Sequence, residues 1–280
     1  MPKRPSLVKQ VQDVLNSKLK IGHSKYLDKL KNDTTGHIYS WGTYRTYLKH
    51  GCYFVNWAKA TYGCKYIDDA KQYVNEYLQM RIGNGLSPYT QKLEAAAIAK
   101  IYGCSSADFI KTQDRHRAAI ERSRGVKVRD KHFSEKNNQE FVDFCRATGL
   151  RRNEIRSLKS NQLVYDGETN SYFLDVIGKG GRERRSPILS DEAVQRIKSA
   201  KGLVWEKIPN GADIHGYRAD YCTAIYNKHA RLSDEIPKKD LYACKKDLKG
   251  VLYDKKAMAI ASEALGHNRI SVIAAHYIRK

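Results

Sequence analysis

The chain has 280 residues, 41% of them apolar, and sets 51 lysines and arginines against 30 acidic residues for a formal net charge of +21. That length leaves room for two modest domains with real cores, and so large a basic excess has to sit mostly at the surface, where it attracts polyanions. Nucleic acid is therefore the leading partner; a membrane is disfavoured because no basic amphipathic anchor or lipidation signal is evident.

Six cysteines (Cys52, Cys64, Cys104, Cys145, Cys222, Cys244) are scattered singly, without a close pair of metal-ligand spacing, and read as reduced cytosolic thiols. The basic N-terminus lacks an apolar h-region and no stretch approaches bilayer length, so a cytoplasmic protein is expected. Residues 6–19 place Leu7, Val8, Val11, Val14, Leu15 and Leu19 at helical spacing, with lysines on the other side. Residues 40–62 give an aromatic-rich helical pattern, broken or bent at Gly51, in which Trp41, Tyr44, Tyr47, Phe54 and Trp57 are interleaved with Arg45, Lys49 and Lys59. Core packing accounts for some of these aromatics; Arg45 and Lys49 are candidates for a nucleic-acid surface. One helix over residues 68–81 and another ending at Tyr102, capped by Ser87 with Pro88 in its first turn, flank the break Gly83-Asn84-Gly85. Residues 1–112 thus read as a helical domain. In the linker, residues 113–134, periodicity lapses and Arg115, Arg117, Arg122, Arg124, Lys127, Arg129 and Lys131 accumulate, either as a solvated run or as a strap across a phosphate backbone.

A second pattern fills residues 135–280. Phe141, Phe144 and Cys145 lead a helix that stops at Thr148-Gly149, and another begins at once, with Leu150, Ile155 and Leu158 toward a core and Arg151 and Glu154 together on another face. Three short antiparallel strands follow over residues 163–165, 171–177 and 182–189, joined by Asp166-Gly167 and by Gly178-Lys179-Gly180-Gly181, with Lys179 at a hairpin tip. After a helix beginning near Asp191, His215 and Arg218 share a helical face. Near the end, Asn268 is placed to cap a short helix on which Ile270, Ile273 and Tyr277 recur; by periodicity alone Tyr277 is a core aromatic. The expected fold class is mainly α with a small three-stranded antiparallel sheet, as a helical domain followed by a mixed α+β domain.

Taken together and in order, the run Thr148-Gly149-Leu150-Arg151 with Glu154, the hairpin Lys179, the box His215-x-x-Arg218, and Leu265-Gly266-His267 followed by Tyr277 resemble the catalytic domain of the tyrosine recombinases, the phage integrase family. The resemblance covers about half the chain, and residues 1 to about 112 resemble that family's helical core-binding domain in length and helicity, without a sharp motif. Two departures stand out: the interval from His267 to Tyr277 is one residue longer than the commonest family spacing, and Gly216 lies inside the His-x-x-Arg box.

The resemblance implies that Tyr277 attacks a DNA phosphodiester to give a covalent 3′-phosphotyrosine, with Arg151 and Arg218 on the non-bridging oxygens and Glu154 orienting side chains. It further implies that His267 hydrogen-bonds the phosphate, that His215 helps the phenol lose its proton, and that Lys179 protonates the departing 5′-oxygen. Because bond energy is kept in the phosphotyrosine, neither cofactor nor metal is called for. The implied partners are double-stranded DNA at a specific core site, touched by Arg45, Lys49, Arg122, Arg124, Lys127 and Arg129, and a homotetramer on two duplexes, with an accessory directionality factor as an optional third. The expected role is integration, excision or resolution of a mobile element in the nucleoid. Two rival readings share these features: an inactive site-specific DNA-binding protein and a type IB topoisomerase-like relaxing enzyme.

Overall fold

The computed structural model describes residues 4–34, 36–115, 133–178, 183–245 and 248–278, in two compact units, Met1–Glu121 and Arg122–Lys280. Lys179 and the linker residues Arg117, Arg122, Arg124, Lys127, Arg129 and Lys131 lie outside the described residues.

The first unit is helical: α1 (Leu7–Ser17), α2 (Lys25–Leu30), α3 (Trp41–Tyr62), α4 (Ile67–Ala70), α5 (Val74–Gly83) and α6 (Pro88–Tyr102). Serine side chains set the starts, since Ser6, Ser40 and Ser87 accept from the amides of Lys9, Thr43 and Thr90, and Pro88 occupies a first-turn position that needs no donor. The core gathers Val11 and Leu15, Phe54 and Val55, Tyr77 and Leu78, and Ile98 from four of these helices. Arg45 and Lys49 are exposed on α3.

Two expectations for this unit change. Helix α3 runs unbroken through Gly51. A Cβ there would lie 2.6 Å from Ile101 Cδ1 and 3.0 Å from Val11 Cγ1, so the glycine lets α1 and α6 close on α3 rather than ending it. Residues 68–81 do not form one helix either: a 3₁₀ turn, Lys71–Tyr73, separates α4 from α5. There the Lys71 amide turns to the Asp68 carbonyl, while the Ile67 carbonyl accepts from the Tyr102 hydroxyl at 2.6 Å.

The second unit contains α7 (Gln139–Thr148), α8 (Arg152–Arg156), β1 (Leu163–Asp166), β2 (Ser171–Ile177), β3 (Glu183–Pro187), α9 (Asp191–Lys198), α10 (Ile214–His229), β4 (Leu241–Ala243), β5 (Leu252–Asp254), α11 (Lys255–Ala264) and α12 (Ile270–His276). The first three strands form an antiparallel sheet in the order β1-β2-β3, with Leu163 opposite Leu174 and Val176 opposite Arg184. The fold is thus mainly α with a small three-stranded antiparallel sheet, to which the structure adds the hairpin β4-β5. Helix α10 packs on α7 and on α11, and α11 also covers β3, which brings the ends of four segments together. Arg231 ties the end of α10 to the hairpin through Asp254, at 2.7 Å from both Nε and Nη2, and through Asp240 at 3.1 Å.

Asn268 does not cap α12; the N-cap is Arg269, in extended backbone and without a side-chain capping bond. The cause lies in the way α11 ends. Gly266 is left-handed at φ +67°, its amide returns to the Glu263 carbonyl, and the His267 amide returns to the Ser262 carbonyl at 2.8 Å, which leaves Asn268 exposed one residue early. Among the described residues no helix is long and apolar enough to cross a membrane.

Candidate active site

The chain before α8 fixes Arg151. Gly149 terminates α7 at φ +60°, and Arg151 is then the N-cap of α8, its amide donating to Glu154 Oε2 and its Nη1 to Glu154 Oε1, both at 2.7 Å. A β-carbon at Gly149 would sit 2.2 Å from Tyr221 Cδ1, inside the ring's van der Waals surface. Gly149→Ala should therefore cost about 2–4 kcal/mol, from overpacking and a left-handed alanine together. Urea unfolding measures it, and a loss under about 1 kcal/mol would show that Tyr221 gives way at little cost.

Glu154 is shared. Arg184, from β3, grips it with Nη1 to Oε1 at 3.0 Å and Nη2 to Oε2 at 2.7 Å. Burial alone would raise the carboxyl pKa, but the hydrogen bonds from Arg184 and from the Arg151 amide outweigh it and hold the group at about 2, so it is ionised at any working pH.

Arg218 lies on α10 and is almost wholly buried, at 1% exposure. Its Nη1 donates to the Gly149 carbonyl and its Nη2 to the Leu265 carbonyl, while Nε has no partner among the described residues. Burial first, then repulsion from Arg151, lowers its pKa to about 10, which still leaves it charged at neutral pH. Arg151 Nη2 also approaches the Leu265 carbonyl, at 3.4 Å, so both guanidinium groups are referenced to the turn that carries His267.

Tyr277 closes the cluster. Its ring centroid is 5.2 Å from that of His215 and 5.0 Å from that of His267, and Arg218 Cζ lies 5.8 Å from its centre. The ring is buried at 5% exposure. The extra residue between His267 and Tyr277 thus leaves the two rings in contact, and Gly216 fits within α10, its amide donating to the capping carboxylate of Asp213 at 3.0 Å. Beside the cluster opens a cavity of about 300 Å³, lined by Arg151, Arg152, Asp213, His215 and Arg218 among others. Tyr277 is not in its wall. Arg152 holds the loop leading into α10 by donating to the carbonyls of Pro209, Asn210 and Ala212 at 2.9, 3.2 and 2.9 Å.

Charge decides what this arrangement can do. Arg151 and Arg184 share one carboxylate, Glu154, Arg218 lies beside Tyr277 with carbonyl partners, and Arg152 and Asp213 line the cavity, so these four arginines against two carboxylates leave two positive charges uncompensated among these residues. A partly buried site of that kind favours an anion held by guanidinium donors. His267 adds a neutral imidazole: burial, then the neighbouring Arg218, Arg151 and Arg184, push its pKa down to about 4, and its Nε2 is buried without a partner among the described residues.

The sign of that shift makes a stability prediction. The unfolded histidine takes up a proton as pH falls through about 6.5, and the folded one does so only near 4. The contribution is therefore intact above pH 6.5 and is lost as pH falls toward 4. Between pH 6.5 and 4.5 the melting temperature of the wild type should fall more steeply than that of His267→Gln; equal slopes would mean that His267 protonates in place.

The motif residues Arg151, Glu154, His215, Arg218, His267 and Tyr277 are thus gathered in one place, while Lys179 lies outside the described residues. Arg184 was not singled out in the sequence. The all-polar run Glu183-Arg184-Arg185-Ser186 shows no alternation in sequence; the register of β3 puts Arg184 and Ser186 on the buried face opposite Val176 and Leu174.

No protein-family model and no curated protein matches the chain. Among solved structures it is similar to the XerH site-specific recombinase bound to palindromic difH substrate, with 15% identity, a TM-score of 0.49, and coverage of 98% of this chain and 90% of that one. It is also similar to the Tn1549 transposon integrase in complex with circular intermediate DNA, with 12% identity, a TM-score of 0.46, and coverage of 99% and 96%.

Proposed function

We propose that this chain is a tyrosine recombinase, which breaks and rejoins DNA at a specific site through a covalent 3′-phosphotyrosine. The observation that carries the reading is the convergence of Arg151, Arg218, His215, His267 and Tyr277 beside one cavity with an excess of positive charge. Attack on a phosphodiester builds charge on the non-bridging oxygens, and guanidinium groups already fixed in place stabilise it without reorganising. Arg151, about a third exposed, and Arg218, anchored by the Gly149 and Leu265 carbonyls, take those oxygens. The buried Nε2 of neutral His267 supplies a further hydrogen bond.

Tyr277 is the nucleophile in this scheme. A phenol is a weak acid, so its proton has to be accepted as the bond forms, and the adjoining exposed His215 is placed to take it. The hydroxyl has to approach the phosphorus from a buried position at the C-cap of the short helix α12. Lys179 donates the proton to the departing 5′-oxygen. A second 5′-hydroxyl then attacks the phosphotyrosine, so exchange needs two duplexes and a homotetramer to hold them, with a directionality factor where one direction is selected.

Binding draws on the +21 charge, with Arg45 and Lys49 on the exposed side of α3 and Arg122, Arg124, Lys127 and Arg129 following the phosphate backbone. The protein accordingly works on DNA in the cytoplasm, at the nucleoid, in integration, excision or resolution of a mobile element. The test is a duplex carrying the element's boundary sequence and a nick that releases a short leaving strand. The wild type should accumulate a covalent adduct, with the nucleotide remnant on the peptide bearing Tyr277. A protein that binds this duplex tightly yet forms no adduct would sink the proposal.

A further inference from the structure

Arg184 makes no approach to the cavity; it is not among the lining residues, and its side chain is 3% exposed. Its Nε donates to the Ala264 carbonyl at 3.1 Å, and both its terminal nitrogens go to Glu154. Its aliphatic stem lies against Gly266, where a Cβ would come within 2.8 Å of Arg184 Cδ, so the Leu-Gly-His turn is built around it. Stability alone does not account for so buried a pair, because exchanging a buried ion pair for apolar residues of like volume is often neutral or favourable.

The arrangement of charge gives a reason. Glu154 accepts four hydrogen bonds, two from Arg184 and two from Arg151, one of the latter from the Arg151 amide. Without Arg184, the carboxylate and the Arg151 guanidinium would form a closed neutral pair. With it, the carboxylate is already balanced, and the charge on Arg151 remains for a ligand. We infer that Arg184 is a positioning residue: it neutralises Glu154 so that Glu154 can orient Arg151 without competing for the charge that holds the substrate phosphate. This rests on the reading of the cavity as a phosphate site.

The charge argument separates this role from plain packing. Inorganic phosphate is titrated into the full-length chain and its binding is followed by NMR at the ring protons of His215 and His267. Arg184→Met should weaken phosphate binding by roughly tenfold, the order expected when one screened charge a few ångströms away is lost. Adding Glu154→Gln to Arg184→Met removes the competing carboxylate and should recover most of that loss, to within about threefold of the wild type. Arg184→Lys, which keeps the charge, should stay closer to the wild type than Arg184→Met.

A packing role predicts the opposite order, with the double variant at least as weak as the single. That result, or an unchanged affinity in Arg184→Met, overturns the inference. Should Arg184→Met fail to fold, the double variant decides alone: affinity near the wild type supports the charge role, and a tenfold loss refutes it. If the wild type binds phosphate but never forms an adduct on nicked DNA, the recombinase reading falls while the role of Arg184 is still decided by the phosphate data. Absence of phosphate binding by the wild type overturns the inference itself.

Discussion

Tyr277→Phe should form no covalent adduct on the nicked duplex, yet bind it with close to wild-type affinity and stay folded, melting several degrees below the wild type at most for the loss of one hydrogen bond to Arg218. The ring contacts of this side chain, with His215 at 5.2 Å, His267 at 5.0 Å and Arg218 at 5.8 Å, are kept by phenylalanine, and only the hydroxyl's hydrogen bond with Arg218 is lost. What disappears is one hydroxyl. Tyr221, the neighbouring buried tyrosine, does not stand in for it: its hydroxyl donates to the Pro187 carbonyl at 2.7 Å and meets Ser186 Oγ at 3.1 Å. Loss of binding together with loss of the adduct would mean that the hydroxyl supports the site's structure. An adduct of ordinary yield would mean that a different side chain attacks. The measurement is a denaturing gel for the adduct beside a mobility shift for binding, on the same protein preparation.

Local chemistry made much of the fold legible. Ser6, Ser40, Ser87 and Ser190 announce helix starts because a cap needs only residues two or three positions away, and Gly63, Gly103 and Gly149 announce ends because a left-handed residue suits glycine. The strands β1 to β3 were marked by their turns. What failed were positions decided across the fold. Gly51 looks like a helix breaker in sequence, and only the approach of Ile101 and Val11 explains it as a close contact. Asn268 is a good capping residue that lies one position too early, because the end of α11 consumes Gly266 and His267 first.

The site shows the same division. Arg151, Glu154, His215, Arg218, His267 and Tyr277 stand at spacings within motifs, and motifs are visible in a single chain. Arg184 belongs to none of them. In the run Glu183-Arg184-Arg185-Ser186, hydropathy marks every residue as exposed, and only the pairing of β3 with Leu174 and Val176 of β2 shows which two turn inward. Its carboxylate partner sits thirty positions earlier, so no local pattern could link them. The hairpin β4-β5 escaped for a related reason: its strands are three residues each, too short to show an alternation.

Lys179→Ala should cleave ordinary DNA slower by roughly 10² to 10⁴, the contribution of a general acid, and should recover on a substrate whose bridging 5′-oxygen is replaced by sulfur. The paired part of the hairpin ends at Ile177 opposite Glu183, and the segment between them carries Lys179. One residue along β3, Arg184 is bound to Glu154 and through it to Arg151, so the base of the hairpin is anchored to Arg151. On the proposed reading, Lys179 delivers the proton to the oxygen that leaves the phosphorus. A thiolate leaves without that proton, because its conjugate acid has a pKa near about 8.5, as for a cysteine thiol, far below that of an alcohol. On the sulfur-bridged duplex the Lys179 variant should therefore approach the wild-type rate. Arg218→Ala should stay slow on both substrates, since charge on the non-bridging oxygens is still unbalanced when sulfur leaves. Single-turnover rates on the two duplexes measure all four combinations. If the Lys179 variant is equally slow on both, the lysine holds the phosphate rather than protonating the leaving group, and the donor has to be sought among the residues that line the cavity.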